Sequence, residues 1–107
     1  MTEARPETNQ TRLVEQVLAL TEEIDHAARI ADWQRAALLS EQRSPLLMSF
    51  APEQSPEALA LIRRIQALDD VTLREARTAQ SELANEYRTA MDRTRAANSY
   101  NSVALMR

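Results

Sequence analysis

The stretch SPEALALIRRIQALDDVTLREARTAQSELANEYRTAM, residues 55–91, decides the fold. Within it Leu59, Ile62, Ile65, Asp69, Leu73, Ala76, Gln80, Leu83, Tyr87 and Ala90 recur at steps of three and four, the repeat of one face of an α-helix. Neither glycine nor proline interrupts that repeat between Pro56 and Asn98. Ser55, Pro56 and Glu57 mark its start: an N-cap hydroxyl, a proline where no N–H is needed, and an acid at the positive helix end. The spacing predicts one helix of about 40 residues.

Working towards the N-terminus, residues 51–56 (APEQSP) read as a loop. Before it, Trp33, Ala36, Ala37, Ser40 and Leu47 fall on one side of a second helix, flanked by Leu39, Leu46 and Phe50, with Asp32 as its N-cap. Trp33 is the expected apolar anchor of that helix and Leu47 a further structural residue. Pro45 lacks an N–H for the Glu41 carbonyl and crowds it, so a kink near Glu41 to Ser44 is expected, not a break. Earlier still, Leu13, Val17, Leu20, Ile24, Ala27 and Ala31, widened by Val14 and Leu18, predict a first helix of about 20 residues. Residues 1–10 carry no such pattern and read as a flexible tail ending near an N-cap at Thr8 or Asn9.

Composition agrees with helices alone. The 107 residues include no glycine, one Phe, one Trp and two Tyr, so a sheet has little to build with. The predicted class is all-α: an antiparallel three-helix bundle over residues 11–98 with a long third helix. Asn98 to Ser102 (NSYNS) weakens helix formation, and a short helical segment, residues 99–107, closes the chain. Cysteine is absent, which excludes disulfides and thiolate metal sites and suits a reducing compartment such as the cytoplasm. No apolar run approaches the roughly 18 residues of a membrane span. Net charge is −3 and all thirteen cations are arginines; only the small group Arg88, Arg93 and Arg95 is locally basic, so nucleic acid is not an expected partner.

Catalytic motifs are missing where they would have to be. Without glycine, no phosphate-binding loop or nucleophile elbow can be written. His26 follows Asp25 but has only carboxylates to complete a metal site, and reads as a solvated histidine. Asp69 and Asp70 are adjacent, so they point about 100° apart on a helix, and Asp70 faces Arg74 one turn on. No enzyme activity and no cofactor are expected.

The length mismatch points elsewhere. Two helices of about 20 residues reach roughly 30 Å, whereas the third reaches about 60 Å. Ala76, Leu83, Tyr87 and Met91 then have no partner in the first two helices, and must be covered by the C-terminal segment, by a second copy, or by another protein. Leu61 and Leu68 beside Leu59, Ile62 and Ile65 widen the apolar band of the early third helix, and Leu38 adds to the second, which outlines a groove; the plainer alternative is that these leucines are ordinary partly exposed residues. The expected partner-binding residues are Ile62, Ile65, Leu68, Leu83, Tyr87 and Met91. The expected lid is Tyr100, Val103 and Met106, docking reversibly because so short a helix is marginal.

Four short motifs, in order and at characteristic intervals, carry a family likeness: L-x-L-T-E at Leu18 to Glu22, A-D-W at Ala31 to Trp33, R-x-x-L-L at Arg43 to Leu47, and A-N-S-Y at Ala97 to Tyr100. In these the chain resembles the flagellar export chaperone FliT family. Pro45 and the short tail after Tyr100 depart from the family pattern. The resemblance implies a cytoplasmic chaperone that holds the C-terminal region of the filament-cap protein FliD before type III export. It also implies delivery to the export gate, contact with the export ATPase complex, restraint of the flagellar master regulator in some members, and a C-terminal helix able to cover the cleft. The alternative from a different class is a structural module that forms a homodimer and has no client.

Overall fold

A computed structural model of the chain describes residues 6–105. Among these residues the secondary structure consists of three helices and no strand: α1 (Pro6–Arg29), α2 (Trp33–Met48) and α3 (Pro56–Leu105). The all-helical expectation therefore holds. By its packing the chain divides into two units, one up to Glu75 and one from Ala76 onward.

Helix α1 starts earlier than the sequence suggested. Pro6 is its first residue, so Thr8 and Asn9, expected as N-caps, lie inside the helix. Proline suits the first helical position because the N–H it lacks would have no intrahelical acceptor there. The rest of the expected tail, residues 1–5, falls outside the described residues.

The end of α1 is a Schellman turn made without glycine. The Ala31 N–H donates to the Ala28 carbonyl (3.0 Å) and the Asp32 N–H to the Ala27 carbonyl (2.8 Å). This places Ala31 in the left-handed region at φ +59°, which costs roughly 1–2 kcal/mol for a residue with a Cβ. One residue later Asp32 caps α2 as expected, its carboxylate accepting from the Arg35 N–H at 3.1 Å. Ser55 does the same for α3, accepting from the Ala58 N–H at 3.1 Å.

Helix α2 runs through Pro45 without breaking and closes at Met48, two residues short of Phe50. Phe50 nevertheless packs on the core from just beyond the helix end. The α2–α3 loop is held by Gln10 of α1: its Oε1 accepts from the Ala51 N–H (3.0 Å) and from Gln54 Nε2 (2.8 Å).

Two small apolar clusters make up the core of the first unit. Val14 and Val17 of α1 meet Ala58 and Ile65 of α3, with Leu18, Leu46, Phe50, Leu61 and Ile62 around them. Ile24 and Ala27 meet Ala36 and Leu39 of α2, with Leu20 and Trp33 alongside. The buried faces share most positions with those read in the sequence and depart from them at single residues. In α1 the expected Val14, Val17, Ile24 and Ala27 are buried and Thr21 and Ala28 join them, while Leu13 and Leu20 are half-buried and Ala31 is exposed. In α2 the buried positions centre on Ala36 and Leu39, so Ala37 and Leu47 are exposed and Leu46 packs instead of Leu47. A shift of one residue is a turn of about 100°, enough to move a side chain from core to water.

The second unit is the remainder of α3. Every described residue from Gln80 to Leu105 is exposed. The expected interruption at Asn98 to Ser102 does not occur, and α3 extends over 50 residues to Leu105. Asn and Ser each cost only a few tenths of a kcal/mol against alanine in a helix interior, and neither blocks the backbone hydrogen bond as proline would.

Candidate partner-binding surface

A polar layer separates the two apolar clusters. Arg43 of α2, with its side chain only 14% exposed, reaches Asp69 of α3, 39% exposed, at 2.7 Å. The same guanidinium nitrogen donates to Thr21 Oγ1 of α1 at 3.0 Å, and the Thr21 hydroxyl donates to the Val17 carbonyl at 2.7 Å. This explains Asp69, the one charged member of the apolar repeat in α3. Its countercharge comes from another helix, and the layer fixes how the three helices meet.

The six residues expected to bind a partner divide by position. Ile65 is 3% exposed and belongs to the core against Val14 and Val17, so it has no free surface to offer. Ile62 packs against that cluster and Leu68 is half-buried. Leu83, Tyr87 and Met91, in the second unit, are 66%, 67% and 37% exposed. At about 100° per residue they fall within one arc of roughly 80° and form a continuous apolar row. Leu59 and Leu73, expected in the core stripe, are exposed too, as is Leu38 of α2.

The expected lid takes a different form. Tyr100 and Val103 are exposed residues of α3 itself, and about 140° or more around the helix from Tyr87. In a continuous helix they cannot fold over the earlier row. Met106 lies outside the described residues. Of the three structural residues, Asp32 caps α2, Trp33 is half-buried beside Ile24 and Ala36, and Leu47 is exposed.

Gln10, Thr21 and Arg43 were missed from sequence. Gln10 and Thr21 give no local signal, because the side chains and loop they meet are 20 or more residues away, and the Thr21 bond to the Val17 carbonyl is open to any helical threonine. Arg43 had one: an isolated cation at a helical step between Leu39 and Leu46, matching Asp69 in the opposing stripe.

Reactive chemistry is thin on this surface. His26 is exposed, on the rim of an open depression that Glu22, Glu23 and Arg35 also line. Among the described residues no group of three or more His, Cys, Asp or Glu side chains could hold a metal ion, and no helix is long and apolar enough to cross a membrane. What remains prominent is the open apolar row Leu83, Tyr87 and Met91.

Comparison with known proteins returns no matching curated protein and no matching solved structure. A family model does match, that of the flagellar protein FliT, over residues 11–102. The match spans both apolar clusters, the Arg43 layer and the row Leu83, Tyr87 and Met91, and on this ground the chain belongs to the flagellar protein FliT family.

Proposed function

We propose that the protein is a cytoplasmic flagellar export chaperone whose α3 offers an apolar row to the C-terminal region of the filament-cap protein FliD. The observation that carries this reading is the row itself: Leu83, Tyr87 and Met91 lie open within one narrow arc of α3. Membership of the FliT family supports the flagellar setting. A client offering an amphipathic helix would bury these side chains and leave the flanking charges in water. Ile62 and Leu68 belong to the first unit, where both are half-buried.

In this reading the first unit is the frame, an antiparallel three-helix bundle of α1, α2 and the start of α3, and the later part of α3 is the arm that engages the client. Delivery to the export gate, contact with the export ATPase complex and restraint of the flagellar master regulator belong to the same proposal. A lid made by Tyr100, Val103 and Met106 would need α3 to open at Asn98 to Ser102, its weakest helical stretch.

Titration calorimetry with the client's C-terminal segment tests the reading. Leu83→Asp with Tyr87→Asp should abolish measurable binding while leaving the fold intact. Undiminished affinity in that double variant would remove this surface from the proposal.

A further inference from the structure

The charges on the exposed part of α3 are sorted by side. Ala76, Leu83, Tyr87, Ala90, Met91 and Thr94 fall within about 100° of the helix circumference and make its apolar face. Arg77, Arg88 and Arg95, all exposed, lie within about 20° of one another along one flank of that face. Glu82 and Glu86, also exposed, lie along the other flank, and Arg93 follows them about 10 Å further on.

A long helix that stands in water usually strings opposite charges along itself, because a cation and an acid four residues apart attract. Here that pattern is missing. Among the described residues the ion pair within this stretch is Arg95 with Asp92, at 3.9 Å and with both side chains mostly exposed. Arg77, Arg88, Glu82 and Glu86 take part in none. Glu82 and Glu86 stand one turn apart, where like charges repel. An arrangement that gains nothing within its own helix gains when a second helix lies along the apolar face, because the cations and the acids then meet that helix's two edges separately.

We infer that the helix bound on Leu83, Tyr87 and Met91 carries acids along the edge facing Arg77, Arg88 and Arg95, and a cation along the edge facing Glu82 and Glu86. This rests on the reading of the row as a client surface and adds to it the client's charge and direction. Turning a helix end for end on the same face exchanges its two edges. A client with acids on one edge and cations on the other is therefore matched in one direction only, and the two flanks of α3 select it. Arg77 to Arg95 spans about 27 Å, so a client segment of about five turns meets all three arginines.

Fluorescence anisotropy of the full chain at low salt, with designed amphipathic peptides of about 25 residues, is the test. The peptides share one apolar stripe. One has glutamates on one edge and lysines on the other, one has lysines on both edges, and one has glutamates on both. The mixed peptide should bind about tenfold more tightly than either of the others. Arg77→Glu with Arg88→Glu and Arg95→Glu should pass the preference to the peptide with lysines on both edges. Adding Glu82→Arg and Glu86→Arg should return it to the mixed peptide, now bound in the opposite direction. A spin label on Ser99→Cys, in a chain with no other cysteine, should broaden the resonances of one end of the mixed peptide, and those of the other end in the five-residue variant. Circular dichroism would verify that each variant folds.

Equal binding of the three peptides, or the same end broadened after the five-residue exchange, would overturn the inference. So would a chain that takes up no peptide because another copy already covers the face. Leu83→Asp with Tyr87→Asp keeps the two readings apart. Loss of the peptide there, without any effect of the arginine reversals, retains the row and removes its charge code; undiminished binding removes the row and the charge code with it.

Discussion

Arg43 and Asp69 lie 2.7 Å apart, from α2 to α3, with Thr21 of α1 on the same guanidinium nitrogen at 3.0 Å. Arg43 Nε is also buried, with no acceptor. An arginine so placed is held by its partners at the cost of leaving water, and part of its hydrogen-bonding capacity is unused. Removing Asp69 alone should therefore harm more than removing the whole layer. We expect Asp69→Ala to cost about 1–2 kcal/mol, less than a fully buried pair because Asp69 is partly solvated. Arg43→Leu with Asp69→Leu should be near neutral or stabilising. Urea denaturation of the two variants checks the order; equal losses would mean that the pair is a simple surface contact.

Ala31 gives a prediction of the opposite sign. It occupies a left-handed position that glycine takes without a Cβ penalty. Ala31→Gly should raise stability by about 1 kcal/mol, since the gain at φ +59° exceeds the added freedom of the unfolded chain. Thermal melts would register this as a rise of several degrees; a fall would show the turn to be less strained than its geometry implies.

Gln10 ties the α2–α3 loop to α1 through the Ala51 N–H and Gln54. Gln10→Ala should cost about 1 kcal/mol, the net value of a partly buried hydrogen-bonded side chain. Amide exchange should accelerate at Ala51 while the middle of α1 keeps its protection.

Core and surface members of the apolar repeat in α3 should separate cleanly. Ile65→Asp places a charge among Val14, Val17 and Ala58 and should cost more than about 4 kcal/mol, unfolding the first unit at moderate temperature. Tyr87→Asp should change stability by less than about 0.5 kcal/mol, because Tyr87 is exposed, yet weaken client binding at least tenfold. A stability loss at Tyr87 comparable to that at Ile65 would show that the row is already covered within the chain.

The parts of the fold legible in the sequence are those specified by neighbouring residues. Asp32 and Ser55 cap the backbone three residues on, and Pro56 marks a helix start whatever surrounds it. Rotation about each helix axis was less legible. Leucine is the more apolar residue, so Leu13, Leu20 and Leu47 drew the expected faces towards themselves. The structure instead buries Thr21 and half-buries Arg43, because partners on other helices satisfy their polar groups, and it packs Leu46 on the core where Leu47 was expected. For the same reason periodicity alone did not tell Ile65 from Leu83. One repeat runs through both, and whether a neighbouring helix covers it is a tertiary fact.

The last 26 described residues, from Gln80 to Leu105, have every side chain in water. A helix in that state is protected only by its own backbone ladder, whose opening free energy lies near zero and whose amides should exchange almost as fast as those of a free peptide. Any partner must therefore bind the fraction of molecules in which this ladder is intact. Affinity would then follow helix propensity as well as contact chemistry, so alanine substitutions at Asn85 or Thr89, on the opposite side of the helix, would tune binding with little change in the interface itself.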